Sequence, residues 1–123
     1  MAGFSVELEK RTLENEFFRQ VLFTTERSQL VLMALQPDES IGMEVHDDHD
    51  QFIRVEAGSG KAIIDGEEHI LEDGSAVVIP AGSEHDIVNG GSGVMKLYTL
   101  YTPPEHKDGT VHKTKEEALA DHH

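Results

Sequence analysis

The chain contains no cysteine and no tryptophan, and only four prolines. Without cysteine there can be no disulfide and no thiolate ligand, so any metal must be held by nitrogen and oxygen donors. No apolar run approaches the roughly 20 residues that a membrane-spanning helix needs. The opening residues, MAGFSVELEK, lack the basic start and apolar core of a secretory signal. With the missing cysteines, this leads us to expect a cytoplasmic protein. Basic residues are also scarce: 10 Lys and Arg stand against 24 Asp and Glu, a formal net charge of −14. Such a surface repels nucleic acid and anionic membrane, and neither is expected as a partner. The acidity itself reads as solubility chemistry and marks no specific cationic partner.

What the chain does have is regular punctuation. Its 123 residues suffice for one domain with a modest core. Phe4, Val6 and Leu8 alternate with polar residues and predict a first edge strand, and Phe17 to Phe23 a second. Gln29 to Leu35 is almost continuously apolar, as in a strand buried on both faces, and Gln36-Pro37-Asp38 ends it. Gly42 opens a strand holding Glu44 and His46, a polar turn follows over Asp47 to Asp50, and Gln51 to Val55 is a strand closed by Gly58-Ser59-Gly60. Asp65-Gly66, set between Lys61 to Ile64 and Glu67 to Leu71, is a two-residue hairpin signal. Further short strands are expected at Ala76 to Ile79, Asp86 to Val88 and Val94 to Thr102. This spacing predicts an all-β sandwich or barrel rather than alternating strands and helices. The polar tail reads as a mobile or loosely docked end. Within it Lys113 to Ala120 has helix-forming composition, with Thr114 and Glu117 spaced as a capping box.

Two stretches put metal-capable side chains beside turns. Glu44 and His46 are two apart on one strand and share a face. Gln51 can point inward from the next strand, and His85 follows the Pro80-Ala81-Gly82 turn. Together they would offer two imidazoles, one carboxylate and one amide oxygen to an ion. His49 reads as a solvated turn residue, although His46 with His49 makes a rival pair. His69 lies in a hairpin and should be exposed. His106 and His112, in the tail, either cover a barrel mouth or do nothing. Arg54, Lys96, Tyr98 and Tyr101 are candidates to orient a substrate, weighed against charges on an outer face and tyrosines in a core. Asn89 is expected to secure the loop after His85. The terminal pair His122-His123 is assigned no chemistry.

Gly74-Ser-Ala-Val-Val-Ile-Pro80-Ala-Gly82-Ser-Glu-His85-Asp-Ile-Val-Asn89 resembles the second sequence motif of the cupin superfamily at every named position. The first motif is resembled with departures. Gln51 stands where the family has glutamate, His46 takes the place of the second histidine and Glu44 that of the first, and Gly42 sits closer to the site than the usual glycine. One histidine has become Glu and one glutamate Gln, so the set keeps a single negative charge. The resemblance implies a single cupin domain over 1–123, with a jelly-roll barrel over about 28–102 and the tail over 103–123. It also implies one divalent ion (Zn, Mn, Fe, Ni or Co) on Glu44, His46, Gln51 and His85. A homodimer is expected, joined through the first strands with Phe17, Phe18 and Phe52 as candidate contacts. The ligand mix is similar to that of cupin-type phosphomannose isomerases, which use zinc, but no evident cluster of Arg or Lys is present to hold a phosphate. The function this implies is a metal-dependent enzyme (isomerase, lyase or dioxygenase type) acting on a small polar organic molecule. The alternative is a non-catalytic small-molecule or metal-binding sensor module.

Overall fold

The computed structural model describes residues 2–121. In chain order its elements are α1 (Leu8–Glu14), β1 (Arg19–Thr24), β2 (Gln29–Leu35), β3 (Glu44–Val45), β4 (Asp50–Ala57), β5 (Gly60–Ile64), β6 (Glu67–Leu71), β7 (Ala76–Ile79), β8 (Glu84–Val88), β9 (Met95–Thr102), β10 (Val111–His112) and α2 (Lys115–Ala120). The strands form two antiparallel sheets, ordered β10-β1-β2-β9-β4-β7 and β3-β8-β5-β6. Inward residues of both sheets, among them Val31, Leu35, Ile53, Ala62, Ile87 and Leu97, form one core cluster. This is the expected all-β jelly roll.

The apolar run of β2 pairs with β9 along its whole length, from Gln29↔Tyr101 to Leu35↔Met95. Val31, Met33 and Leu35 enter the core, and Leu32 and Ala34 on the alternate face are also buried. The two-sided burial read from the composition is therefore present. Asp65 and Gly66 both take positive φ, 49° and 83°, and join β5 to β6 as the tight hairpin. Gly58, at φ 97°, brings its backbone against β9, where a Cβ would lie 2.9 Å from Met95 Cα.

Three expectations are corrected. Phe4, Val6 and Leu8 do not make an edge strand: Leu8–Glu14 is a helix. Its sequence, LEKRTLE, consists mostly of good helix formers, and the apolar alternation before it is too short to compete. Asn15 ends the helix, its N–H bonding Arg11 O and its side chain bonding Phe17 O. The tail is docked rather than loose. β10 pairs with β1 through Arg19↔His112 and Gln20↔Val111, and Thr114 Oγ1 caps α2 by accepting from Glu117 N–H at 3.2 Å. Phe18, taken as a dimer contact, packs in the core at 3% exposure. His122 and His123 lie outside the described residues. Among the described residues no helix is long and apolar enough to cross a membrane.

One buried amide fastens the start of the tail. Gln29 is fully buried. Its Oε1 accepts from the N–H groups of Glu105 (3.2 Å) and His106 (3.0 Å), and its Nε2 donates to His106 O (2.7 Å) and Thr24 Oγ1 (3.0 Å). The chain after β9 is thereby folded back over one end of the barrel.

Candidate metal centre

β3 and β8 run side by side, with Glu44 directly opposite His85. The Pro80-Ala81-Gly82 turn that precedes His85 is tied to the other motif: Gly82 N–H donates to His46 O (2.8 Å) and Ala81 N–H to Asp50 Oδ1 (2.9 Å). His85 alternates inward with Ile87 along β8. Gln51, near the start of β4, lies across the ladder from Tyr101 of β9. The His46 ring centroid sits 5.1 Å from that of His85, 4.5 Å from His49 and 6.2 Å from Tyr101. The two sequence motifs therefore meet at one end of the barrel.

The hydrogen bonds at this end are asymmetric. His85 Nδ1 lies 3.0 Å from Ser83 O; a carbonyl can only accept, so Nδ1 carries a proton and Nε2 is the nitrogen that could hold an ion. His46 Nδ1 faces Glu105 Oε2 at 2.9 Å and its Nε2 faces Glu44 Oε2 at 3.1 Å. Bonds to Glu105 and then Glu44 outweigh burial and raise the His46 pKa to about 9. Gln51 Nε2 donates to Thr99 Oγ1 at 3.0 Å, which leaves Gln51 Oε1 buried without a partner. A buried carbonyl oxygen left unpaired costs free energy unless something else binds it.

Residues outside the predicted set complete the site. His49 is 7% exposed, not a solvated turn residue, because Asp47-Asp48 carries the turn and its ring folds in against Tyr101 at 5.6 Å. Its Nε2 lies 2.7 Å from Glu105 Oε2, yet without hydrogen-bond alignment. His46, His49 and Glu105 thus have donor atoms all within 4.8 Å of one another. Burial raises the Glu105 pKa, but the His46 hydrogen bond and neighbouring imidazoles outweigh it and the net shift is downward. His106 packs edge-on against Tyr101 at 5.4 Å, and its Nε2 is buried and unpartnered. Burial, assisted by the Arg19 charge, lowers the His106 pKa to about 4. Burial likewise raises that of the Tyr101 phenol.

Nothing in the sequence marked Glu105, whose position depends on the Gln29 clamp. The tail histidines carried the weaker hint, and His106 does reach the barrel end. Of the proposed orienting residues only Tyr101 is there. Arg54 pairs with Glu56 at 3.0 Å, Lys96 Nζ donates to Leu13 O, and Tyr98 neighbours Phe52. Asn89 secures its loop as expected, donating to Leu35 O and Gly93 O while accepting from Gly91 N–H.

A family description of the cupin domain matches residues 31–101, from β2 through most of β9. This chain belongs to the cupin family. The cupin is 40% identical, over 95% of its length, to the uncharacterized protein YrkC of Bacillus subtilis strain 168, and spans 66% of that protein. It is also 40% identical, over 88% of its length, to the uncharacterized protein L612 of Acanthamoeba polyphaga mimivirus, and spans 70% of it. The chain thus covers about two thirds of these relatives. The cupin also resembles the crystal structure of BH2720 from Bacillus halodurans, with a TM-score of 0.96 and 40% identity over 98% of this chain and 96% of that one.

Proposed function

We propose that Glu44, His46, Gln51 and His85 hold one divalent ion, and that this centre acts on a small polar organic molecule. The observation that carries the reading is the division of labour among polar atoms. His85 spends Nδ1 on Ser83 O and has Nε2 left for an ion, while His46 spends Nδ1 on Glu105 and turns Nε2 to Glu44, a fellow member of the proposed set, where an ion would replace the shared proton. Gln51 spends its amide nitrogen on Thr99 and has a buried oxygen with no partner. A metal-bound histidine that donates its other N–H to a carboxylate or carbonyl is a recurrent arrangement, because it fixes tautomer and ring orientation. Nitrogen and oxygen donors without sulfur fit Zn, Mn, Fe, Co or Ni.

The compact group His46, His49 and Glu105 is the competing ligand set. It is the weaker reading, because it leaves the buried Gln51 Oε1 and the inward His85 unexplained. In our reading Glu105 orients His46 and caps the barrel end.

When bound, the ion supplies Lewis acidity toward a carbonyl or hydroxyl oxygen. The chain supplies the surroundings. Tyr101 and the tail residues wall the site from water. His106, neutral at pH 7, presents an unpartnered Nε2 that can exchange a hydrogen bond with a substrate hydroxyl, which both donates and accepts. With a pKa near 4 it is a poor proton abstractor, so its role is to orient rather than to deprotonate.

Elemental analysis of purified protein tests the ligand set. About one equivalent of metal per chain is expected in the wild type and in His49→Ala, and less than about a tenth of that in His85→Ala. Retention in His85→Ala with loss in His49→Ala would reverse the assignment in favour of the competing set.

A further inference from the structure

Beside the metal centre lies a cavity of about 200 Å³ lined by Phe18, Arg19, Ile41, Glu44, His106 and His112, with α2 closing one side. Glu44 is shared by cavity and centre. Arg19 points inward from β1 in phase with Val21 and is 8% exposed. Its Nη1 lies 3.1 Å from His112 Nδ1. A guanidinium can only donate, so that His112 nitrogen is the acceptor, and Nε2 of the same ring donates to Asp121 Oδ2 at 2.8 Å. The rest of Arg19 is unprovided for. Its Nε is buried without a partner, no described carboxylate lies within ion-pair distance, and its other neighbour is the Phe18 ring at 5.2 Å. The two carboxylates at the cavity are engaged elsewhere, Glu44 with His46 and Asp121 with His112. Lys115, whose Nζ lies 3.5 Å from Ser40 Oγ, adds a second cation to the wall.

A guanidinium held out of water without a counter-charge destabilises a fold, and a chain retains one where an anion arrives to complete it. The unpaired Nε–Nη2 edge presents two parallel N–H donors, the fork that meets a carboxylate side-on. The volume is below the roughly 300 Å³ at which drug-sized sites begin, so only a few heavy atoms fit.

We propose that this cavity is the carboxylate subsite of the active centre, so that the substrate is a small hydroxy or oxo acid with its carboxylate on Arg19 and its other oxygen directed past Glu44 to the ion. The substrate class rests on the metal reading above; the Arg19 subsite does not.

Calorimetric titration of zinc-loaded protein with lactate, 3-hydroxybutyrate and 4-hydroxybutyrate, which separate hydroxyl and carboxylate by increasing distances, tests the pairing. Lactamide is the uncharged control and inorganic phosphate the competing anion. At least one acid is expected to bind the wild type, and Arg19→Gln is expected to weaken it ten-fold or more while zinc content stays the same. Arg19→Lys, which keeps the charge and loses the fork, is expected to recover only part of that loss, and lactamide is expected not to bind. Circular dichroism confirms that each variant is folded, and Arg19→Lys stands in if Arg19→Gln is not. Equal affinity in wild type and variant would put the carboxylate on the ion alone and overturn the subsite. Tighter Arg19-dependent binding of phosphate than of every acid would overturn the carboxylate class, and binding of none of the acids would overturn the proposal. If the protein takes up no zinc, the metal reading fails by itself. The same titrations of metal-free protein then decide the subsite: Arg19-dependent acid binding keeps it and its absence removes it.

Discussion

His46 is the residue at which electrostatics and ligation compete. Its pKa of about 9 reflects a ring held between Glu105 and Glu44. In metal-free protein that pairing stabilises the fold fully below the ordinary histidine pKa of about 6.5 and is lost as pH rises through 9. An ion on Nε2 must displace one proton, so metal affinity should rise about ten-fold per pH unit below 9 and level off above it. Competition titrations with a zinc chelator between pH 6 and 8 should show about a hundred-fold change. Glu105→Gln removes the larger cause of the shift and should move the plateau to lower pH. Affinity independent of pH over that range would mean that His46 does not bind the ion through Nε2. That Glu44, His46 and His85 meet was legible because local spacing governs it: residues two apart in extended chain share a face, and a Pro-x-Gly turn delivers His85 beside Glu44. Glu105 and Arg19 were not, since each matters through a partner far along the chain, Gln29 and His112. Arg19 did leave one mark. It falls in register with Val21 on the buried face of β1, where a solvated arginine does not belong.

At the level of elements, short strands and turns were readable because each is fixed by a few neighbouring residues. Asp65-Gly66 made its hairpin, and Thr114 with Glu117 made its cap. The first helix was hidden because seven residues carry too little periodicity to separate from a short alternating run. The docking of the tail was hidden for a different reason: its partners are far along the chain, with β1 pairing β10 and a single buried amide in β2 fastening its start. Gln29→Leu keeps the bulk and removes the clamp, leaving the Glu105 and His106 N–H groups without their acceptor. Both bonds are part-buried, so their loss should cost about 1 kcal/mol, the low end for an unpaired donor, and appear in denaturant unfolding with little change in slope. Amide exchange at residues 105 and 106 should accelerate at the same time. If exchange there is unchanged, the segment is held by β10 and α2 rather than by Gln29. The variant also separates two jobs of the tail. Glu44, Gln51 and His85 do not depend on it, so metal should still bind, whereas the upward shift of His46 should shrink as Glu105 drifts away.

At the level of the whole molecule, the net charge of −14 acts against compaction everywhere at once. The exposed ion pairs among the described residues are too wet to offset it: Lys61 with Glu68 and Arg54 with Glu56 each have at least one partner well exposed to solvent. Raising sodium chloride from 0.05 to 0.5 M shortens the screening length from about 14 to about 4 Å, less than the spacing of most surface charges. Repulsion should fall faster than the short-range pairs weaken, and the melting temperature of metal-free protein should rise by a few degrees, on the order of 3–6 °C. A flat or falling melting curve would mean that local attraction outweighs the global excess. Chloride offers a rival cause, since an anion seated on Arg19 would also stabilise the fold. The two differ in scale. A surface effect depends on no single residue and survives Arg19→Gln intact, whereas a seated chloride disappears with it. Melting both proteins across the same salt series therefore separates a property of the whole molecule from a property of one buried guanidinium.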